Sequence, residues 1–163
     1  RRAHGFGMEV YAVDIRPAPC PPEVKSVWGL ERLDDLVRAS DWLVVTAPIT
    51  PQSRNLIDRR RLGLMKPTAH LIVISRGGIV DEAALIEALR SKRIAGAGLD
   101  TFDTEPLPPD SPFWSLENVV ISPHASAYTP EMWEGRRQIL RDHLRRFLAG
   151  EPFPYVCDKR AGF

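Results

Sequence analysis

The sequence predicts an α/β fold: a doubly wound parallel sheet, incomplete at its N-terminus. Three observations carry that prediction. Short continuous apolar runs such as WLVV and HLIVI suit strands of a parallel sheet covered on both faces. They alternate with amphipathic segments of helical period, the pattern of strand–helix–strand units. Polar or charged residues recur where the runs end, and sheets of this class bind ligands at the carboxyl ends of their strands.

Each element follows in order. Glu9–Val13 (EVYAV) is a short strand that ends at Asp14, and the proline-rich loop RPAPCPPE follows it. Val24–Trp28 is a second, weaker strand. Leu30–Ala39 is helical, because Leu30, Leu33, Leu36 and Val37 fall on one face. Trp42–Thr46 is a strand stopped at Ala47-Pro48, since proline has no N–H for the ladder. Asp58–Met65 is a short basic helix, and Ala69–Ile74 is another buried strand.

Asp81 caps a helix that runs to about Ser91. It turns Leu85, Ala88 and Leu89 inward and holds Arg90, Lys92 and Arg93 near its negative end. Ile94–Leu99 and Val119–Ile121 are two further strands. In the last helix Thr129 is the N-cap and Pro130 fits the first turn. Trp133, Leu140, Leu144, Phe147 and Leu148 share one face, and Gly150 ends the helix. The arginines on its remaining surface read as a solvated face. The chain divides into a sheet-bearing part, 1–124, and a helix and tail, 125–163.

Composition narrows the function classes. A chain of 163 residues is long enough for one hydrophobic core. Its net charge of +1 does not call for nucleic acid or an acidic membrane surface. The longest apolar run, about eight residues, is far short of the ~20 that span a bilayer. Cys20 and Cys157 lie far apart and make no metal-ligand spacing, so no metal site is expected, and they suit a reducing, cytoplasmic setting.

The strand ends supply the chemistry. Four of them carry polar groups, Asp14, Arg76, Asp100 and the segment around His124, and Glu105 lies on the loop after Asp100. In ISRGGIVDE the guanidinium of Arg76 leaves a buried strand, and Gly77 and Gly78 permit a tight turn into the next helix. An arginine there suits a carboxylate, which it meets through paired hydrogen bonds. An imidazole ordinarily titrates near working pH, so His124 suits proton transfer to or from a hydroxyl. Glu105 suits stabilisation of the charged imidazole. Asp14 reads either as a turn-former or as a ligand for the ribose hydroxyls of an adenine dinucleotide. It would repel a 2′-phosphate, which favours NAD over NADP, and Arg16 weakens that preference. Taken singly, each residue also has an ordinary structural reading.

The longer strings VVTAPITPQSRNLI, ISRGGIVDEAALIEALRSKRIAGAGLDTFDTEPLP and NVVISPHASAYTPEMW together resemble the D-isomer-specific 2-hydroxyacid dehydrogenases. The ending LRRFLAGEPFPYVCDKRAGF is similar to that family's as well. The resemblance implies a Rossmann-like fold and an NAD-dependent oxidoreductase acting on a 2-hydroxy acid or, in reverse, reducing a 2-oxo acid. It implies Arg76 as the substrate-carboxylate arginine, Glu105 as the acid paired with the histidine, and His124 as the proton donor and acceptor. Asp100 is expected near the nicotinamide carboxamide, Ala47, Ser53, Ile74 and Ser75 along the cofactor, and Ser126 beside the nicotinamide. A homodimer is a further expectation of the family.

Two alternatives stand beside it: a non-enzymatic NAD-binding module with a regulatory or interaction role, and an inactive truncated product. The complete Arg76/Glu105/His124 set favours the enzyme, because a sensor has no chemical need for all three. One feature of the family pattern is not seen. HGFG is no dinucleotide fingerprint, since no strand precedes it and a strand rather than a helix follows. The expectation is therefore a C-terminal part whose substrate domain is largely absent. The inner edges of the strands at Glu9–Val13 and Trp42–Thr46 should pair with each other, take up another chain or stay open. Isothermal titration of the isolated 163-residue chain with NADH should show weak binding; a sub-micromolar dissociation constant would contradict this.

Overall fold

The computed structural model describes residues 1–16 and 19–160. Pro17 and Ala18 of the proline-rich loop, and residues 161–163, lie outside the described residues. A short helix α1 (Arg2–Gly5) is followed by strands β1 (Tyr11–Val13) and β2 (Ser26–Trp28). A single 3-10 turn, Leu30–Arg32, leads into α2 (Leu33–Ala39). Then come β3 (Trp42–Val45), α3 (Arg59–Leu64), β4 (His70–Val73), α4 (Glu82–Arg90), β5 (Gly96–Leu99), β6 (Val119–Ile121) and α5 (Pro130–Ala149). The helix starts are fixed chemically. Asp58, Asp81 and Thr129 each accept a hydrogen bond from the backbone N–H three residues on, and Gly150 ends α5 in the left-handed conformation.

All strand pairs are parallel, as the alternating pattern predicts, and the strands form two sheets. One holds β1 and β2; the other runs β3-β4-β5-β6. In the larger sheet Val45 pairs with Val73, Val73 with Leu99, and Leu99 with Ile121. Four strands thus end level with one another. The residues that follow them, around Thr46, Ile74, Asp100 and Ser122, form one rim.

The core lies on one face of this sheet. Leu43 and Val45, Leu71 and Val73, and Ala97 and Leu99 are in the same pleat phase and are buried. They pack with Val37 of α2, Leu62 of α3 and Leu85 and Leu89 of α4. The opposite face differs from the expectation of a doubly covered sheet. Trp42, Val44, Ile74 and Val120 are exposed, Val120 by 75%. The physical reason is that α2, α3 and α4 serve the other pleat phase, while α5 buries none of its residues. The stripe of Trp133, Leu140, Leu144, Phe147 and Leu148 on α5 is accordingly open.

The inner edges of β1 and β3 do not pair with each other. Between them lies a cleft of about 550 Å³, bordered by residues 11–16 on one side and 43–48 on the other. Of the three outcomes expected for these edges, pairing with each other is excluded. Beyond β3, the chain is laced to the turn after β4. The Asn55 N–H donates to the Gly78 carbonyl at 2.8 Å, and Ile57 forms a parallel bridge with Val80.

Because Leu71 is fully buried at the centre of the one-sided core, Leu71→Ala should cost about 2–5 kcal/mol in urea denaturation. Val120→Ala on the open face should cost less than about 0.5 kcal/mol.

Candidate active site

The site is assembled by three segments that leave the common rim. The first is Ser75–Gly78 after β4. Gly78 sits at φ +78, and Arg76 is exposed with its Nη1 donating to its own Ser75 carbonyl at 2.6 Å. The second is the loop after β5, which carries Phe102, Asp103 and Glu105. The third is the turn after β6, which carries His124.

The turn after β6 holds its shape through Asp100, the residue immediately after β5. Asp100 is 3% exposed. One of its carboxylate oxygens accepts from the Ser122 hydroxyl and from the Ala125 N–H at 2.8 Å; the other accepts from the Ser126 hydroxyl at 2.6 Å and its N–H at 3.1 Å. His124, inside this turn, adopts φ 52, a left-handed conformation. Such a backbone costs on the order of 1–3 kcal/mol for a side-chain-bearing residue. Hydrogen bonds to a charged group contribute roughly 1.5–3 kcal/mol each. The four donors on Asp100 therefore outweigh the strain. Burial alone would push the Asp100 carboxyl up, but the donors from Ser122, Ser126 and Ala125 dominate and bring it from the ordinary 3.8 down to about 2.

The turn brings the imidazole between the other two segments. His124 Nδ1 lies 2.7 Å from Glu105 Oε2, and His124 Nε2 lies 3.5 Å from Arg76 Nη1. The other Glu105 oxygen accepts from the Phe102 N–H at 3.0 Å. Burial pushes the Glu105 carboxyl up, yet the His124 and Phe102 hydrogen bonds and the Arg76 charge together hold it below the usual carboxylate range. The His124 and Glu105 side chains are 42% and 35% exposed. A pair that open to water contributes only about 0–1 kcal/mol to stability, so its geometry has to be explained by something other than folding energy. Arg76, Glu105 and His124, from three different loops, thus form one contact chain.

The remaining candidates fall into two groups. Asp14, Ala47 and Ser53 line the cleft between the sheets. Asp14 is exposed at the end of β1 and accepts from the Arg16 N–H at 2.8 Å, the geometry of a turn-former. Ser53 is buried and its hydroxyl is used locally, donating to the Pro48 carbonyl at 2.7 Å. Ile74 and Ser75 lie on the rim after β4, Ile74 exposed and Ser75 buried. The Ser126 hydroxyl is committed to Asp100.

A dinucleotide requires a long, mostly apolar trough with polar groups at intervals. The cleft supplies Val13, Leu43, Val45 and Ala47, with Asp14 at its edge. The hydroxyls of Ser75 and Thr101 are buried near the rim without a hydrogen-bond partner. These features fit such a cofactor. Ser53, Ser126 and Asp100 fit it less directly, because their polar atoms are already engaged within the chain. No group of three or more metal-ligating side chains occurs among the described residues.

Asp103 and Glu82 also hold this part of the site, and their only signal in the sequence is an acid two positions before Glu105 and one at the start of α4.

The family model for the D-isomer specific 2-hydroxyacid dehydrogenase, NAD binding domain, matches residues 1–126. A glyoxylate reductase from Thermococcus onnurineus (strain NA1) is 42% identical over 162 residues, covering 98% of this chain and 47% of the reductase. A D-3-phosphoglycerate dehydrogenase from Methanocaldococcus jannaschii is 37% identical over 154 residues, 93% of this chain and 29% of the dehydrogenase. Among solved structures, the NADPH-dependent glyoxylate/hydroxypyruvate reductase of Sinorhizobium meliloti, in complex with NADP and sulfate, matches with TM-score 0.90 at 29% identity. That match covers 99% of this chain and 52% of the reductase. The chain spans about half the length of the glyoxylate reductase it matches.

The depressed Asp100 carboxyl makes stability depend on acid. Its contribution is complete above pH ~4 and disappears as pH falls towards 2, and the shift corresponds to about 2 kcal/mol. Asp100→Asn should therefore lower stability at pH 7 and flatten the loss of stability between pH 4 and 2, as followed by urea denaturation across that range.

Proposed function

This chain belongs to the D-isomer specific 2-hydroxyacid dehydrogenase family, and from that premise we propose that it carries the proton-transfer and carboxylate-binding residues of an NAD-dependent oxidoreductase. The reaction is oxidation of the CH–OH group of a small 2-hydroxy acid or reduction of the corresponding 2-oxo acid. One observation carries the reading: a guanidinium, an imidazole and a carboxylate from three loops meet in a single contact chain on the rim of the sheet. A 2-hydroxy acid presents a carboxylate and an adjacent oxygen that gains or loses a proton, and the three groups match those two needs.

In the reducing direction, Arg76 binds the substrate carboxylate through paired N–H donors. Its hold fixes the keto carbon and oxygen in front of His124 Nε2, the ring nitrogen that faces Arg76. His124 then gives a proton to that oxygen as it becomes a hydroxyl. Glu105, at Nδ1, keeps the ring in the orientation and charge state that the transfer needs. In the oxidising direction the ring takes the proton back. A bound nicotinamide would supply or accept the hydride. The residues that would hold it are Asp14, Ala47 and Ser53 in the cleft, with Ile74, Ser75, Asp100 and Ser126 along the rim.

Asp14 supports NAD over NADP, because a carboxylate at the end of β1 repels a 2′-phosphate. Glyoxylate and hydroxypyruvate are the first substrates to test, since the similar proteins from T. onnurineus and S. meliloti carry those names. The division at 1–124 and 125–163 belongs to the same proposal and is supported by α5, which buries no residue. Among the described residues no helix is long and apolar enough to cross a membrane. The free, exposed thiols of Cys20 and Cys157 support a reducing compartment, the cytoplasm.

In the complete protein, His124→Ala should lower kcat/KM for glyoxylate and hydroxypyruvate reduction by about 10²–10⁴-fold, assayed with NADH and NADPH in parallel. NADH should be the better donor. An unaltered kcat/KM removes the proton-transfer role, and a preference for NADPH removes the role given to Asp14.

A further inference from the structure

The contact chain depends on two loops keeping their spacing. Arg76 lies on the turn after β4, and Glu105 lies on the loop after β5. Two features join these loops and a third holds the second loop to helix α4, and none involves the reacting groups. Gly77 has no side chain, and the Phe102 carbonyl fills the space beside it; a Cβ at Gly77 would stand 2.1 Å from that oxygen. The N–H of Gly78 donates to Asp103 Oδ1 at 2.5 Å. The N–H of Asp103 donates in turn to Glu82 Oε1 at 2.7 Å, on the first turn of α4.

The bonding is reciprocal. Asp103 binds the arginine turn with its side chain and helix α4 with its backbone. One residue earlier in the same loop, Phe102 binds the Glu105 carboxylate with its N–H and abuts Gly77 with its carbonyl. Asp103 is exposed, so it does no work in the core. The Glu82 carboxyl is pushed up, first by burial and also by the nearby Asp103 charge, with the Asp103 N–H opposing. Holding two acids this close is unfavourable unless each is committed to a backbone donor, and each is.

Resting on the dehydrogenase reading above, we propose that Asp103, supported by Glu82, is a positioning residue: it clamps the Arg76 turn to the Glu105 loop so that both flank His124. Asp103 acts through the backbone and touches neither substrate nor the imidazole. The Gly78 conformation, φ +78, turns its N–H towards the clamp, which ties the glycine pair to the geometry of the site.

The test combines carbon-13 carboxyl NMR of Glu105 with steady-state kinetics of glyoxylate reduction by the protein and its variants. In Asp103→Ala the loop loosens, and Glu105 loses part of its hold on His124 and Phe102. Its titration should then move up, towards the ordinary carboxyl value, and kcat/KM should fall about 10–100-fold, the scale of a misplacement near 1 Å. Simple removal of a neighbouring negative charge would move Glu105 the other way. Asp103→Asn keeps an oxygen for the Gly78 N–H and should restore both readouts to within about threefold. Glu82→Ala, a second variant that leaves the Gly78 bond in place, should shift Glu105 upward as well. A Glu105 titration that stays put or moves down in Asp103→Ala overturns the proposal, and so does an Asp103→Asn that behaves like Asp103→Ala. If the complete protein reduces no 2-oxo acid, the dehydrogenase reading falls; an upward Glu105 shift in Asp103→Ala still supports the clamp.

Discussion

The carboxylate of Asp100 is the interaction on which the site depends. Three residues beyond β6, Ser122, Ala125 and Ser126, converge on it, and His124 is bent among them. Without its four donors, the segment after β6 has no reason to hold His124 in a left-handed conformation. The parallel register makes this possible. Because Leu99 and Ile121 end level, the residues after them are neighbours, and a buried acid on one strand can organise the turn on the next. Only then does the ring fall between Glu105 and Arg76. The sheet sets the positions, Asp100 sets the turn, and the turn sets the histidine.

Much of this was legible in the sequence, and the reasons are specific. Each strand of the larger sheet announced itself as an apolar run, and Asp81, Thr129 and Gly150 marked helix ends through well-understood hydrogen-bonding needs. Arg76 and His124 each have an ordinary structural reading when taken singly, and it is the longer strings around them that single them out. What the chain order hid was contact. Asp100 is expected near the nicotinamide carboxamide; the order of the chain does not reveal that its carboxylate also collects donors from residues 122–126. Asp103 and Glu82 were passed over because their partners, Gly78 and each other, are about twenty residues away. A side chain's commitment to a distant backbone N–H leaves no mark in composition or periodicity.

The faces of the sheet teach a related lesson. Val44 and Ile74 belong to runs that look buried throughout, yet the pleat sends them to a side that no described helix covers. Apolar character on both faces states what a strand tolerates; it does not say what is present to cover it. The same holds for the edges of β1 and β3. Their sequences specified strands, and only the three-dimensional arrangement reveals a gap between them that is lined by both.

The separation of the two sheets divides the molecule mechanically. All strand residues of the core cluster's buried set come from β3, β4 and β5, while β1 and β2 bury none of theirs. The small sheet has correspondingly little buried surface to resist local opening. Asp14 rides on the yielding unit, whereas Arg76, Asp100 and His124 are anchored to the stiff one. Whatever is held at the end of β1 is held by a compliant jaw, and whatever is held beside His124 is held by a rigid one.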